Sequence, residues 1–394
     1  MRPVVALMLA ISALPVTLAA QSTTFQAERG PYRVTTVVPS LQDPWSMAWL
    51  PNGDMLVTER PGRLRVVRQG VLLADPIAGV PSVRYGGQGG LLDVVPHPDF
   101  ATNRLIYLSY SKPNADGTQG TTAVVRGRLE GNRLEGVQEL FEARAWSIGE
   151  AHYGSRLAFD GSGYLFITVS DRAVDPLSVP RERHPAQDLM THQGKVVRLH
   201  DDGRVPTDNP FVNRADALPE IWTYGHRSLQ GLAFHPETGE LWASEHGPQG
   251  GDELNQILRG RNYGWPVIGY GVNYGGQPIH ATRERTGMEQ PVQYWTPSIG
   301  PSGLAIYTGE RFPEWKGSAF VGGLSGVSMA RVPLLKVEGS NQVGRLERPP
   351  LMLGFGRIRD IRVGPDGYIY IAIDDRQGGR PTPIVRLEPA AGVQ

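Results

Sequence analysis

Cysteine is absent from the 394-residue sequence, which excludes a disulfide framework, a thiolate metal site and a cysteine nucleophile. Lysine is scarce: only Lys112, Lys195, Lys316 and Lys336 are lysines among 39 basic residues. That bias reads more simply as arginine-rich coding than as arginine-specific chemistry. Neither sign of charge prevails, with 39 basic and 39 acidic residues. No basic tract stands out either, so nucleic acid and an anionic membrane surface are not expected partners. Long apolar runs are missing beyond the N-terminus, and no membrane span is expected there. The one such run, Val4 to Leu18, follows Arg2, contains Pro15 and ends at Leu18-Ala19-Ala20 before Gln21. A charged start, an apolar middle and a small-residue cleavage site predict a signal peptide over residues 1–20, hence an exported, periplasmic protein.

What the chain has in excess is glycine (49) and proline (33), together about a fifth of all residues. That density of breakers excludes a helical bundle. A short phrase recurs, a Pro/Asp/Gly turn followed by alternating apolar residues: Pro51-Asn52-Gly53-Asp54, Asp160-Gly161-Ser162-Gly163, Pro236-Glu237-Thr238-Gly239 and Pro365-Asp366-Gly367. Looser copies lie near residues 96–111 and 312–324. Each reads as a hairpin turn flanked by period-2 strands, and no comparable stretch carries the period of an amphipathic helix. Long repeats of about four strands each point to an all-β fold, a six-bladed β-propeller with four-stranded antiparallel blades. Residues 21–394 then form one domain. A functional site should appear as scattered polar clusters at strand ends around one mouth of the channel.

Four clusters fit that description. Gly86-Gly87-Gln88-Gly89-Gly90 allows close backbone approach to a ligand, although a flexible surface loop reads the same way. His152, in His152-Tyr153-Gly154-Ser155-Arg156, precedes a strand pair ending at Asp171. A carboxylate beside an imidazole makes a general base, against the alternative of a structural histidine. The densest polar run joins Tyr224 to Gly231, Ser244 to Glu253 and Asn262 to Pro266. Its Gly-Pro turn beside Asp252 and Glu253 offers the oxygen ligands calcium takes, or a solvated acidic turn; zinc spacing is missing. Last, period 2 puts Arg357 and Arg359 on one face of a strand. The pair calls for an anionic ligand between them, or for Asp360 or a remote Glu as counter-charge. His97, His184, His192, His235 and His280 receive no role, and no serine sits in a nucleophile elbow.

Taken in order, PWSMAWLPNGDMLVTERPGRL, GGQGGLLDVVPHPDF, GHRSLQGLAF, SEHGPQGGDELN, NYGWP and RIRDIRVGPDG resemble the soluble pyrroloquinoline quinone (PQQ)-dependent aldose dehydrogenases, the glucose/sorbosone dehydrogenase family of six-bladed propellers. The resemblance spans roughly Val34 to Leu387. It implies PQQ contacts at Gln88, Arg227, Ser228, Tyr274, Arg357 and Arg359. It implies Gly247 and Pro248 carbonyls as ligands of a cofactor-bound Ca2+, and Glu253 and Tyr263 at a second calcium. It further implies His152 as general base, Asp171 as its partner, and Arg227 and calcium as stabilisers of charge on the quinone. The reaction implied is oxidation of an aldose sugar at the anomeric carbon to an aldonolactone. Without cysteine, a haem-attachment motif or a nicotinamide or flavin fingerprint, electrons must pass to an external electron acceptor. Two residues depart from the family's pattern: Ser228 where asparagine is usual, and Ser325 where a lysine would face the quinone. The alternatives are a non-catalytic propeller binding a carbohydrate or protein, and a calcium-dependent lactonase.

Overall fold

A computed structural model describes residues 22–337, 340–375 and 379–390. The expected signal peptide, and residues 21 and 391–394 of the expected domain, lie outside the described residues. Six antiparallel sheets follow one another around a central axis. Five are four-stranded and span residues 44–72, 91–142, 154–224, 228–295 and 301–343. The sixth sets Arg357–Val363, Ile369–Asp374 and Pro381–Pro389 beside the N-terminal strand Gly30–Gln42, which in turn pairs with Ser22–Ala27. Pairing the two ends of the chain closes the ring and leaves no open seam, the propeller's solution to exposed sheet edges. The expected architecture holds, with a fifth strand on the closing blade.

Strict alternation is less general than the sequence pattern predicts. Met55–Glu59 and Ser318–Gly323 are buried at every residue, because a mid-blade strand packs against a neighbouring blade on each face. Alternation survives where one face meets water, as where Arg63 and Arg65 are half-buried and Leu64 and Val66 between and after them are buried. Each of the six seams between blades carries its own apolar core. Leu56, Leu64, Leu91 and Ile106 fill the first, for example, and Trp242, Leu254, Leu304 and Val321 the fifth-blade seam.

All six copies of the recurrent phrase fall between the first and second strands of a blade, at one end of the propeller. The opposite end is where innermost strands begin and second strands finish. Gly90, His152, Arg227 and Arg357 stand at starts; Arg60, Asp171, His246, Ser325 and Asp374 stand at or just past finishes. Between the two ends the axis is plugged by buried charge. Arg156 pairs with Asp360 at 2.9 Å and lies 3.7 Å from Asp93, while Arg362 pairs with Asp93 at 2.8 Å and Asp360 at 3.0 Å. The indole of Trp45 covers the Arg156 guanidinium at 3.9 Å. This plug is the floor beneath the site.

Candidate active site

His152 Nδ1 lies 2.6 Å from Asp171 Oδ1. Trp265 Nε1 donates to the other carboxylate oxygen at 2.9 Å, and the Ala173 N–H donates to Oδ1 at 2.9 Å. Asp171 is buried. Burial alone would raise its pKa, but the imidazole beside it, with Arg227 further off, holds the carboxyl below its ordinary value. With Nδ1 facing a carboxylate, the proton belongs on Nδ1, and Nε2 is left as a basic lone pair. Among the described residues Nε2 has no hydrogen-bond partner, and His152 lines a cavity of about 290 Å³. His152 holds a left-handed backbone, φ 52°, which costs a non-glycine residue on the order of 1 kcal/mol. Gln88 helps hold it there, its Oε1 accepting the His152 N–H at 2.9 Å while its own N–H donates to Glu150 O at 2.8 Å. Gly87 is needed for that approach: at φ +52° a Cβ would sit 2.7 Å from Glu150 O. The glycine-rich segment is thus tied to the turn that carries His152, and is no free surface loop.

Arg227 lines the same cavity. It is buried, and among the described residues its guanidinium meets no carboxylate in an ion pair. It donates instead to His246 O at 3.1 Å and Gly247 O at 2.6 Å, with the Trp265 ring 5.2 Å away. A buried cation without a counter-ion is costly unless an anion is expected at its free face. Glu245 fixes this corner, accepting from the Arg227 backbone N–H at 2.7 Å and lying 2.9 Å from His226 Nδ1.

Pro248 and Tyr274 also line a second cavity, of about 600 Å³, together with Gln88, Gly247, Ser325, Arg357 and Arg359. The two cavities therefore adjoin. Arg357 and Arg359 do share a face, and their common counter-ion is Asp374, whose Oδ2 lies 3.3 Å and 3.1 Å from them. Asp360, the local candidate, is spent in the axial plug. Tyr274 is 71% exposed and stands on the rim where both cavities open. Ser228 is absent from the cavity lining: buried, it pairs in the sheet with His246 and accepts a long hydrogen bond from Gln230, which does face the cavity. Ser325 is exposed on the rim, its hydroxyl on Ser298 O at 3.2 Å.

The acidic turn divides. Asp252 is consumed by protein donors, with Gly247 N–H on one oxygen at 2.9 Å and Ser298 Oγ and the N–H groups of Ile299 and Gly300 on the other. It is thus a brace for the Gly247-Pro248 turn rather than a free metal ligand. Among the described residues the Glu253 carboxylate accepts only from Asn255 Nδ2, at 3.0 Å. Burial, together with the nearby Glu245 and Asp252, pushes its carboxyl up, which is the signature of a carboxylate short of positive charge. The Tyr263 phenol donates to Gln256 O and accepts from Leu258 N–H at 2.8 Å, so its hydroxyl is already engaged by backbone groups on two sides. Glu253 and Tyr263 do share a small enclosed cavity with Arg227, His246 and Gly247. Among the described residues no group of three or more His, Asp or Glu side chains is placed to hold a metal. The sequence reading named no role for Trp265 or Asp374. NYGWP was a signal for the first, and the acidic end of a strand, Asp374, for the second.

The profile of a family described as glucose/sorbosone dehydrogenase matches residues 41–386. The chain belongs to this family. It is 43% identical over 344 residues to the aldose sugar dehydrogenase YliI of Escherichia coli, covering 86% of this chain and 89% of that one. The structure of the soluble aldose sugar dehydrogenase of Escherichia coli in its apo-form superposes with a TM-score of 0.82 at 40% identity, covering 91% of this chain and all of the other. The PQQ-bound aldose sugar dehydrogenase of Streptomyces coelicolor superposes with a TM-score of 0.69 at 26% identity, over 94% of this chain and 99% of that one. Among glucose/sorbosone dehydrogenases the paired cavities and the His152-Asp171-Trp265 chain thus sit on a fold shared along nearly its whole length.

Proposed function

We propose that this chain is an exported, periplasmic PQQ- and calcium-dependent aldose dehydrogenase that oxidises the anomeric carbon of aldoses to aldonolactones. The observation that carries the reading is one cavity holding both an imidazole whose Nδ1 faces a buried carboxylate and a guanidinium that forms no ion pair with a carboxylate among the described residues. The larger cavity suits PQQ, a tricarboxylate. Arg357 and Arg359 share Asp374 between two positive charges, and among the described residues a buried Arg359 Nε has no hydrogen-bond partner. Calcium fits in part: Gly247 O already accepts from a cationic group, and the Gly247 and Pro248 carbonyls would supply two of the six to eight oxygens calcium takes, the rest coming from cofactor and water.

When bound, PQQ supplies the two-electron acceptor for the hydride leaving the sugar carbon. His152 Nε2 takes the proton of the anomeric hydroxyl, and the Asp171 carboxylate stabilises the imidazolium that results. Arg227 offers its charge to the oxygen on which negative charge accumulates. Arg357 and Arg359, with Gln88, orient the anion; Tyr274 borders both cavities and can close over the sugar. The electrons then leave to an external acceptor. Purified apo-protein should oxidise aldoses with an artificial dye only when PQQ and calcium are both added. No turnover combined with no PQQ binding by calorimetry would overturn the reading in favour of a non-catalytic propeller.

A further inference from the structure

Arg172, next in the chain after Asp171, is buried yet forms no ion pair with a carboxylate among the described residues. Its guanidinium donates to the carbonyl oxygens of Ala151, of Gly149 at 2.8 Å and of Gly120 at 3.4 Å, and lies 3.6 Å from the ring centre of Tyr153. Burial pushes its pKa down, so this charge is held at a cost that carbonyl dipoles and an aromatic face must offset. Two of the three carbonyls belong to the turn that delivers His152, and Tyr153 follows it. The turn needs holding, since His152 itself sits at φ 52°. Arg172 and Ala173 are left-handed as well, φ 59° and 56°, and the Ala173 N–H on Asp171 Oδ1 locks that reversal. The reversal is what turns the guanidinium back toward the His152 turn.

We infer that Arg172 is the positioning residue of the proton-transfer pair. It anchors the backbone on which His152 rides to the backbone on which Asp171 rides, so that the 2.6 Å contact is set by a clamp independent of the contact itself. A fork of donors spanning Gly149 and Ala151 suits arginine, and lysine would reach one carbonyl at a time. The inference rests on the reading of His152 as the base.

The test uses Arg172→Met and Arg172→Lys in the full chain, loaded with PQQ and calcium. Displacing a reacting group by about 1 Å can cost on the order of a hundredfold in rate. Arg172→Met is therefore expected to lower kcat roughly 10- to 100-fold, with KM and PQQ affinity changed less than about twofold, and Arg172→Lys to fall between. A second reading is the low-field proton resonance of His152 Nδ1–H, assigned by its absence in His152→Ala. It should broaden or vanish in Arg172→Met. If Arg172→Met does not fold, Arg172→Lys must by itself show both the lowered kcat and the broadened resonance. Wild-type kcat with an unchanged resonance in a folded variant overturns the role of Arg172. Wild-type turnover in His152→Ala instead overturns the functional reading, whatever Arg172 does.

Discussion

Two groups of arginines lie along one axis of this propeller, and their counter-charges differ. In the plug, Arg156 and Arg362 meet Asp93 and Asp360, two against two. Ser46 Oγ and Leu157 N–H also donate to Asp93 and Met47 N–H to Asp360 Oδ2, while Asp360 Oδ1 is held by the ionic contact with Arg156. At the mouth, Arg357 and Arg359 share Asp374, and Arg227 forms no ion pair with a carboxylate among the described residues. The difference separates what holds the protein together from what waits for a ligand. A balanced buried cluster has no need of a visitor, whereas an unbalanced one gains when an anion arrives. Arg359 and Arg362 lie in one strand, three residues apart, and meet different partners, Asp374 for the first and Asp93 with Asp360 for the second.

The comparison breaks most visibly in the plug. Arg156→Met leaves two buried carboxylates with one guanidinium, and loss of one member of a buried ionic cluster typically costs about 3–5 kcal/mol. Urea unfolding of the apo-protein should register that loss. A variant as stable as wild type would mean that the plug contributes no stability and the contrast is empty. His152→Ala should act oppositely, leaving stability and PQQ binding near wild type while dye reduction falls at least about a hundredfold, the usual effect of losing a general base. Undiminished turnover would remove His152 from the chemistry. Arg357→Ala is next: losing a hydrogen bond to a charged group costs about 1.5–3 kcal/mol, so the Kd for PQQ should rise about 10- to 100-fold with little change in unfolding. Unaltered affinity in calorimetry would show that Asp374 alone satisfies this arginine.

How much of this was legible beforehand follows from what kind of contact is involved. The hairpin phrases gave away the blades because turn chemistry is local: Asp160, for instance, accepts the N–H groups of Ser162 and Tyr164 within four residues. The polar clusters were visible because a propeller mouth admits residues that a core excludes. Their partners were not visible, because partners are set by sheet register and by the closing of the ring. Arg357 faces Asp374 through strand pairing across a hairpin, and Trp265 reaches Asp171 from 94 residues away. Asp252 looked like a metal ligand by type, yet the backbone of the 298–300 segment, brought in by the neighbouring blade, had already claimed it. Ser228 looked like a cofactor contact by position in its motif, yet the structure buries it outside the cavity lining, its hydroxyl accepting from Gln230, which does face the cavity.

Asp171 allows a milder test. Its folded-state pKa lies below the ordinary 3.8, so its ionised form contributes stability that is complete above about pH 4 and fades as pH falls through the depressed value. The stability gap between wild type and Asp171→Asn should be full at neutral pH and narrow only in strong acid. A gap independent of pH would mean that Asp171 contributes by shape and hydrogen bonding alone, without charge.

Ser325→Lys probes the imbalance at the mouth in the direction of more positive charge. Ser325 is exposed on the rim of the larger cavity and among the described residues its hydroxyl holds only Ser298 O, at 3.2 Å, so little is lost by replacing it. A lysine there would place an ammonium on the side of the cavity that holds Leu324, whose carbonyl accepts from Arg357 Nη1 at 2.9 Å. A solvent-exposed charge pair contributes about 0.2–1 kcal/mol, which corresponds to a Kd for PQQ lower by at most about fivefold. Because the term is electrostatic and exposed, the gain should shrink as salt is raised, over a screening length of about 8 Å at physiological ionic strength. Weaker binding in the variant, or a gain that salt leaves untouched, would show that the anion's charge lies away from this rim.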